Sequence, residues 1–320
     1  MKIYIFVILL VTSVCDLFAQ PEPLWVRTFN GSSNSNDKAF KMITDASGNI
    51  YVLGTTYNSQ TKDDIFLAKY NNAGALMWQK FYYGDVDADD SPVDLDLDAQ
   101  GNIYIAVNNY DFDSRNRIVV IKHSSLGTLL WKRHIEGDHL FHDELHRTAN
   151  CLEVTSDGTF YVAGRWKLTN GLDSFYGLCA YKGNSSGIVI DSLIQAFGTD
   201  YDSFTSTNYY DITTDNSGNV YAVGSRNNNI YLKKIDQNFD SVWVKTYNGA
   251  GNGVDAGLKV IVDNNFYTHI GGYVSGVNGK DFIVIKYDNG GTQLWARTYN
   301  GPANGEDILS DFIVTGEGTV

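Results

Sequence analysis

Five tryptophans, Trp25, Trp78, Trp131, Trp243 and Trp295, recur at a near-constant interval. The first two gaps are 53 residues and the last is 52, while the 112 residues from Trp131 to Trp243 span two intervals, with Leu193 standing where a tryptophan is expected. A fixed period of this length marks an array of like units, each burying its apolar surface only against its neighbours. The period constrains architecture before any single residue is considered, and it constrains function far less.

Each unit holds four strand-like runs, in the first Ala39 to Thr44, Ile50 to Gly54, Ile65 to Tyr70 and Met77 to Tyr82. Between the first two runs lies Asp45-Ala46-Ser47-Gly48-Asn49, matched by Asp98 to Asn102 and Asp215 to Asn219. Asp opens such a turn and Gly takes the left-handed position that closes it. A second turn follows the lysine that ends the third run, at Lys69 and Gly74, Lys122 and Gly127, Lys182 and Gly187, and Lys286 and Gly291. Four antiparallel strands joined by short turns make one blade of an all-β propeller. The runs Ile118 to Ile121 and Phe282 to Ile285 are continuously apolar, as expected where a sheet is covered on both faces, whereas a β-sandwich strand alternates.

Three elements carry a family likeness: Asp-x-x-Gly-Asn-Ile-Tyr-Val from Asp45, Asp-Ile-Phe-Leu-Ala-Lys-Tyr from Asp64, and Gly-x-x-x-Trp from Gly74. Together they resemble the bacterial beta-propeller repeat family often called SBBP, over nearly all of the chain from Leu24 onward. The resemblance implies a secreted or cell-surface propeller, often beside other extracellular modules, with no common catalytic residue. Gly-x-x-x-Trp also looks locally like the tryptophan-docking motif of quinoprotein propellers.

Residues 1–19 read as a signal peptide: Lys2 precedes an apolar run from Ile3 to Val14 that is too short to span a bilayer, and Ala19 suits cleavage before Gln20. A lipoprotein reading would use Cys15, but Val14 stands where a small residue is wanted. The repeats then fill residues 20–320 as one domain. The first Trp strand, Leu24 to Phe29, has no blade before it, and the last repeat ends at Gly318-Thr319-Val320. By that count about five and a half blades are present, and roughly 20 to 30 further residues would close a six-bladed ring, or one more repeat a seven-bladed one. Further C-terminal blades are expected beyond Val320, with room for a sorting module after them.

The net charge of -13 argues against nucleic acid and anionic membranes as partners. Cys151 and Cys179 fall on the first and third strands of the third blade, about 10 Å apart at two strand spacings, so they read as buried thiols rather than a disulfide.

Several motifs have a structural reading. Gly183 to Gly187 spells G-x-S-x-G, yet it sits in a routine turn and opens no helix. Gly251 to Ala256 spells a dinucleotide loop but repeats as an inter-blade loop from Asn300 to Asp307. A recurrent Asp before each first strand, at Asp37, Asp90, Asp143, Asp255 and Asp307, is expected to accept backbone N–H bonds from its loop. The run Asp85 to Asp90 offers oxygen ligands for Ca²⁺ but lacks the Gly and distant Glu of an EF-hand, which leaves a solvated loop.

The third blade departs from the rest. Its lengthened first loop holds His139, His142 and His146 with Asp138, Asp143 and Glu144, and the loop between its second and third strands is expected to hold Arg165 and Trp166. Both loops fall on one rim. His142 to His146 resembles the zinc-protease H-E-x-x-H with Asp143 in the place of the general base, so the three histidines are candidate Zn²⁺ ligands beside the reading of solvated loop residues. An exposed Trp166 beside Arg165 is a platform for a sugar ring or an anionic group, or alternatively a staple over the loop. The sequence thus reads as a secreted or surface propeller serving as a binding or scaffold module for an extracellular protein or polysaccharide, without catalytic residues or a required cofactor. The alternative is an extracellular propeller enzyme, a polysaccharide lyase or hydrolase or a quinoprotein-like protein.

Overall fold

The turn signals place the strand breaks. Asp45 Oδ1 accepts the Ser47 and Asn49 amides, each at 2.9 Å, and Gly48 closes that turn at φ 75°. Asp98 and Asp215 organise the same turn in their own repeats. The computed structural model describes residues 24–60, 62–83, 90–110, 116–135, 145–170, 173–198, 207–251, 253–276, 279–303, 305–309 and 311–315. Among them there is no helix, and none of the described chain forms an apolar helix able to cross a membrane.

Twenty strands form five antiparallel four-stranded sheets, each in sequential order. The first blade is β1 (Asp37–Thr44), β2 (Ile50–Asn58), β3 (Lys62–Tyr70) and β4 (Leu76–Tyr82); the second is β5 (Ser91–Leu97), β6 (Ile103–Tyr110), β7 (Asn116–His123) and β8 (Leu129–His134). The third is β9 (Leu145–Val154), β10 (Phe160–Asn170), β11 (Asp173–Gly183) and β12 (Val189–Gly198), with longer strands than the others. The fourth is β13 (Asn208–Thr214), β14 (Val220–Arg226), β15 (Asn229–Ile235) and β16 (Ser241–Tyr247), and the fifth β17 (Ala256–Val262), β18 (Thr268–Ser275), β19 (Lys280–Tyr287) and β20 (Gln293–Tyr299). Successive first strands lie side by side, β1 by β5, β5 by β9, β9 by β13 and β13 by β17, and so form the inner wall of a propeller. Four apolar cores lie in the seams between consecutive blades.

Gly-x-x-x-Trp is a latch between blades. The Trp25, Trp78, Trp131 and Trp243 indoles lie over the turn glycines Gly74, Gly127, Gly187 and Gly291 of the following blade. Each Nε1 donates to the carbonyl two residues before that glycine: Asn72 at 3.2 Å, Ser125 at 3.3 Å, Ser185 at 3.0 Å and Asn289 at 3.2 Å. Glycine is required there twice over, for φ values of 74° to 80° and beyond and because a Cβ on Gly74 would stand 2.5 Å from the Trp25 ring. Trp25 makes its latch from an extended segment with no ladder partner among the described residues, so the strand expected at Leu24 to Phe29 is not formed there.

Two expectations are corrected by register. Lys182 pairs with Asp191, as Lys69 pairs with Trp78 and Lys122 with Trp131, so Asp191 and not Leu193 occupies the tryptophan position. Leu193 lies two residues on, on the same face, where it packs partly against the core; the period alone could not separate the two because strand faces repeat every second residue. The second strands also run past the glycine taken as their end. Gly54, Gly164, Gly224 and Gly272 sit within β2, β10, β14 and β18 opposite a bulge in the first strand, where a Cβ would meet a carbonyl oxygen at 2.2, 2.0, 1.8 and 2.0 Å. Cys151 and Cys179 are buried and free, on β9 and β11.

Candidate functional site

The extension of β10 moves the rim residues. Arg165 and Trp166 lie within this strand, not in the loop after it, and Trp166 is only 9% exposed. Its indole belongs to the core between the second and third blades, with Nε1 close over Gly177, so it is a core residue and not an open platform. The rim cluster nevertheless converges. A cavity of about 160 Å³ is lined by Asn116, His146, Thr148, Arg165, Trp166 and Lys167, drawn from β7, β9 and β10. The Asn116 backbone amide donates to His146 Nδ1 at 3.4 Å. His139, His142, Asp138, Asp143 and Glu144 lie outside the described residues, as do residues 85–89 of the acidic run. Among the described residues no three His, Cys, Asp or Glu side chains gather as a metal site.

Three of the five recurrent loop aspartates hold their loops as expected. Asp37, Asp255 and Asp307 each accept the amide of the residue six before them, Gly31 at 2.8 Å, Gly249 at 2.6 Å and Gly301 at 2.6 Å. Asp90 is buried and accepts from Asn109 Nδ2 at 2.8 Å.

The inner wall carries ionisable groups that the repeat pattern did not flag. At one register position the first strands present Lys41, Asp94, Cys151, Asp211 and Lys259. Two residues on, β5 and β9 add Asp96 and Glu153. These carboxylates cap the next blade's edge. Asp94 accepts the Leu152 amide at 3.1 Å, Asp96 that of Val154 at 2.6 Å, Glu153 that of Thr214 at 3.2 Å and Asp211 that of Val260 at 2.9 Å. Lys41 pairs with Asp94, and Lys259 Nζ lies 3.5 Å from Asp211. Burial pushes the Asp96 carboxyl up to about 6, and burial, then the Asp96 charge, pushes Glu153 up to about 8. The signal available in the sequence was acidic residues inside otherwise apolar first strands, which the period of two brings to one side.

No protein-family model matches the chain, and no curated protein matches it. Solved structures of similar shape include a Hadza microbial sialidase (10% identity, 82% of this chain and 58% of that one, TM-score 0.49) and the polysaccharide lyase Uly1 (11%, 80% and 56%, TM-score 0.41). A prolyl oligopeptidase B from Galerina marginata is a third (10%, 83% and 35%, TM-score 0.47). The chain thus spans little more than half, or about a third, of their lengths.

Proposed function

We propose that this chain is a secreted or cell-surface propeller of the repeat family it resembles, acting as a binding or scaffold module that holds an anionic group at the rim of its third blade. One observation carries this reading. In a chain of net charge -13, His146, Arg165 and Lys167 line a single rim cavity together with Asn116 and Thr148. At about 160 Å³ the cavity has room for roughly five waters, which suits one carboxylate or sulfate and not the body of a ligand. Guanidinium and ammonium groups bind such an oxyanion through charge-assisted bonds, and the amide and hydroxyl fix its orientation.

The test is calorimetry with tetragalacturonate and with an acidic peptide, at low and high salt. Binding weakened at least tenfold in Arg165→Gln and Lys167→Gln and reduced by salt supports the reading; binding indifferent to both substitutions contradicts it.

A second reading, an extracellular propeller enzyme such as a polysaccharide lyase or hydrolase, draws on Asp96 and Glu153. Carboxyls raised to about 6 and about 8 are suited to proton transfer near neutral pH. Turnover of a polysaccharide that disappears in Glu153→Gln, in a variant that melts like the parent, would favour it.

A further inference from the structure

The seam between the third and fourth blades departs from the chain's own repeat at three positions. Thr155 stands where the other turns have Asp45, Asp98 and Asp215, Asp191 stands at the tryptophan position, and Phe239 stands at the turn-glycine position. The consequences fall in one place. The carbonyl that a latch indole would take is that of Gln237, and it accepts Lys182 Nζ at 2.7 Å with no indole beside it, whereas Lys69 and Lys122 reach the Ser125 and Ser185 carbonyls at 3.3 and 3.4 Å alongside Trp78 and Trp131. Lys69 and Lys122, the counterparts of Lys182, lie 3.7 Å from Asp45 and 3.2 Å from Asp98, whereas Thr155 brings no carboxylate to this spot. The hydroxyls of Tyr51, Tyr104 and Tyr221 reach their turn aspartates, but among the described residues that of Tyr161 makes no hydrogen bond.

A cleft of about 600 Å³ opens here, on the side of the propeller opposite the rim cavity. Thr155, Asp157, Tyr161, Lys182, Asn216 and Gln237 are among its lining residues. We infer that this cleft is a second ligand site, and that it takes a neutral saccharide. The volume falls within the range of about 300 to 1,000 Å³ typical of small-molecule sites. Its lining mixes both signs of charge with amides and hydroxyls, which matches a ring of hydroxyls that both donate and accept. An anion would face Asp157, and a cation would face Lys182. The Thr155 hydroxyl and the Thr159 amide hold the Asp157 carboxyl below its ordinary value, so it stays an ionised acceptor.

The experiment is calorimetric titration of the protein with cellotetraose, mannotetraose and chitotetraose, with tetragalacturonate as the acidic control. Two variants accompany it. Thr155→Asp/Asp191→Trp/Phe239→Gly restores the chain's usual latch, engaging the lining groups Tyr161, Lys182 and the Gln237 carbonyl, and Asp157→Ala/Asn216→Ala removes exposed lining groups without touching the core. The expected result is binding of at least one neutral tetrasaccharide, weakened tenfold or more in both variants and unchanged in Arg165→Gln. Absence of neutral-saccharide binding in the parent protein overturns the inference. So does binding that both variants retain, or binding lost with Arg165, which would assign it to the rim.

Discussion

The seam between the second and third blades and the seam between the third and fourth are closed in opposite ways. At the former, Trp131 on the outer strand β8 packs 5.7 Å from Tyr104 of its own blade and reaches forward over Gly187 to donate to the Ser185 carbonyl. At the latter, the tryptophan position is an exposed Asp191, and the ring that meets Tyr161 comes back from the following blade: Phe239 stacks on it at 6.2 Å. The bulky and the small residue have exchanged sides. What is preserved in the first four blades is an aromatic contact on the repeated tyrosine rather than the residue that supplies it, as interior packing density demands. The exchange costs something, since Phe239 adopts φ 67°, worth roughly 1 kcal/mol for a residue with a Cβ.

The comparison is broken most forcefully at the latch. Trp131→Ala should lose about 3–5 kcal/mol in denaturant unfolding, through the cavity it opens. Trp166→Ala should lose a similar amount, because Trp166 is as buried as Trp131, each being 9% exposed; a loss below about 1 kcal/mol would put Trp166 back on the surface. That pair separates what the repeat explains from what the third blade adds.

The repeat made the blades legible, down to the turn aspartates and the loop aspartates, because each of those residues satisfies a backbone group the hairpin must satisfy. The rim was legible in composition and wrong in position. Gly164 reads as the end of a strand, but it is the place where β9 bulges against β10, and the strand continues through Arg165 and Trp166 to Asn170. That continuation buries Trp166. The exchanged seam was hidden because it joins residues 48 positions apart, Asp191 on a strand and Phe239 in a turn, and only their pairing across the seam reveals the exchange. The inner-wall carboxylates were hidden because their partners are amides on the next blade, about one repeat away.

An effect of pH sharpens the contrast on the inner wall of the same two blades. Glu153 is raised from 4.5 to about 8 by burial and then by Asp96, so its stabilising contribution is complete below about pH 4.5 and is lost as pH rises through 8. The parent protein should therefore lose stability between these values, and Glu153→Gln, uncharged throughout, should flatten the profile by an amount on the order of a few kcal/mol at alkaline pH. A parallel decline in the variant would show that another group governs it.

The exchange itself is tested most directly by a double-mutant cycle on Asp191→Trp and Phe239→Gly, measured by equilibrium unfolding. Asp191→Trp alone brings an indole against the Phe239 ring, and Phe239→Gly alone leaves the Tyr161 ring without its neighbour, so each should destabilise by about 1–3 kcal/mol. The double variant recreates the latch of the other seams, with the indole free to donate to Gln237, and should recover most of both losses, a coupling of about 2 kcal/mol or more. Losses that simply add, leaving the double variant the least stable of the four proteins, would contradict the account.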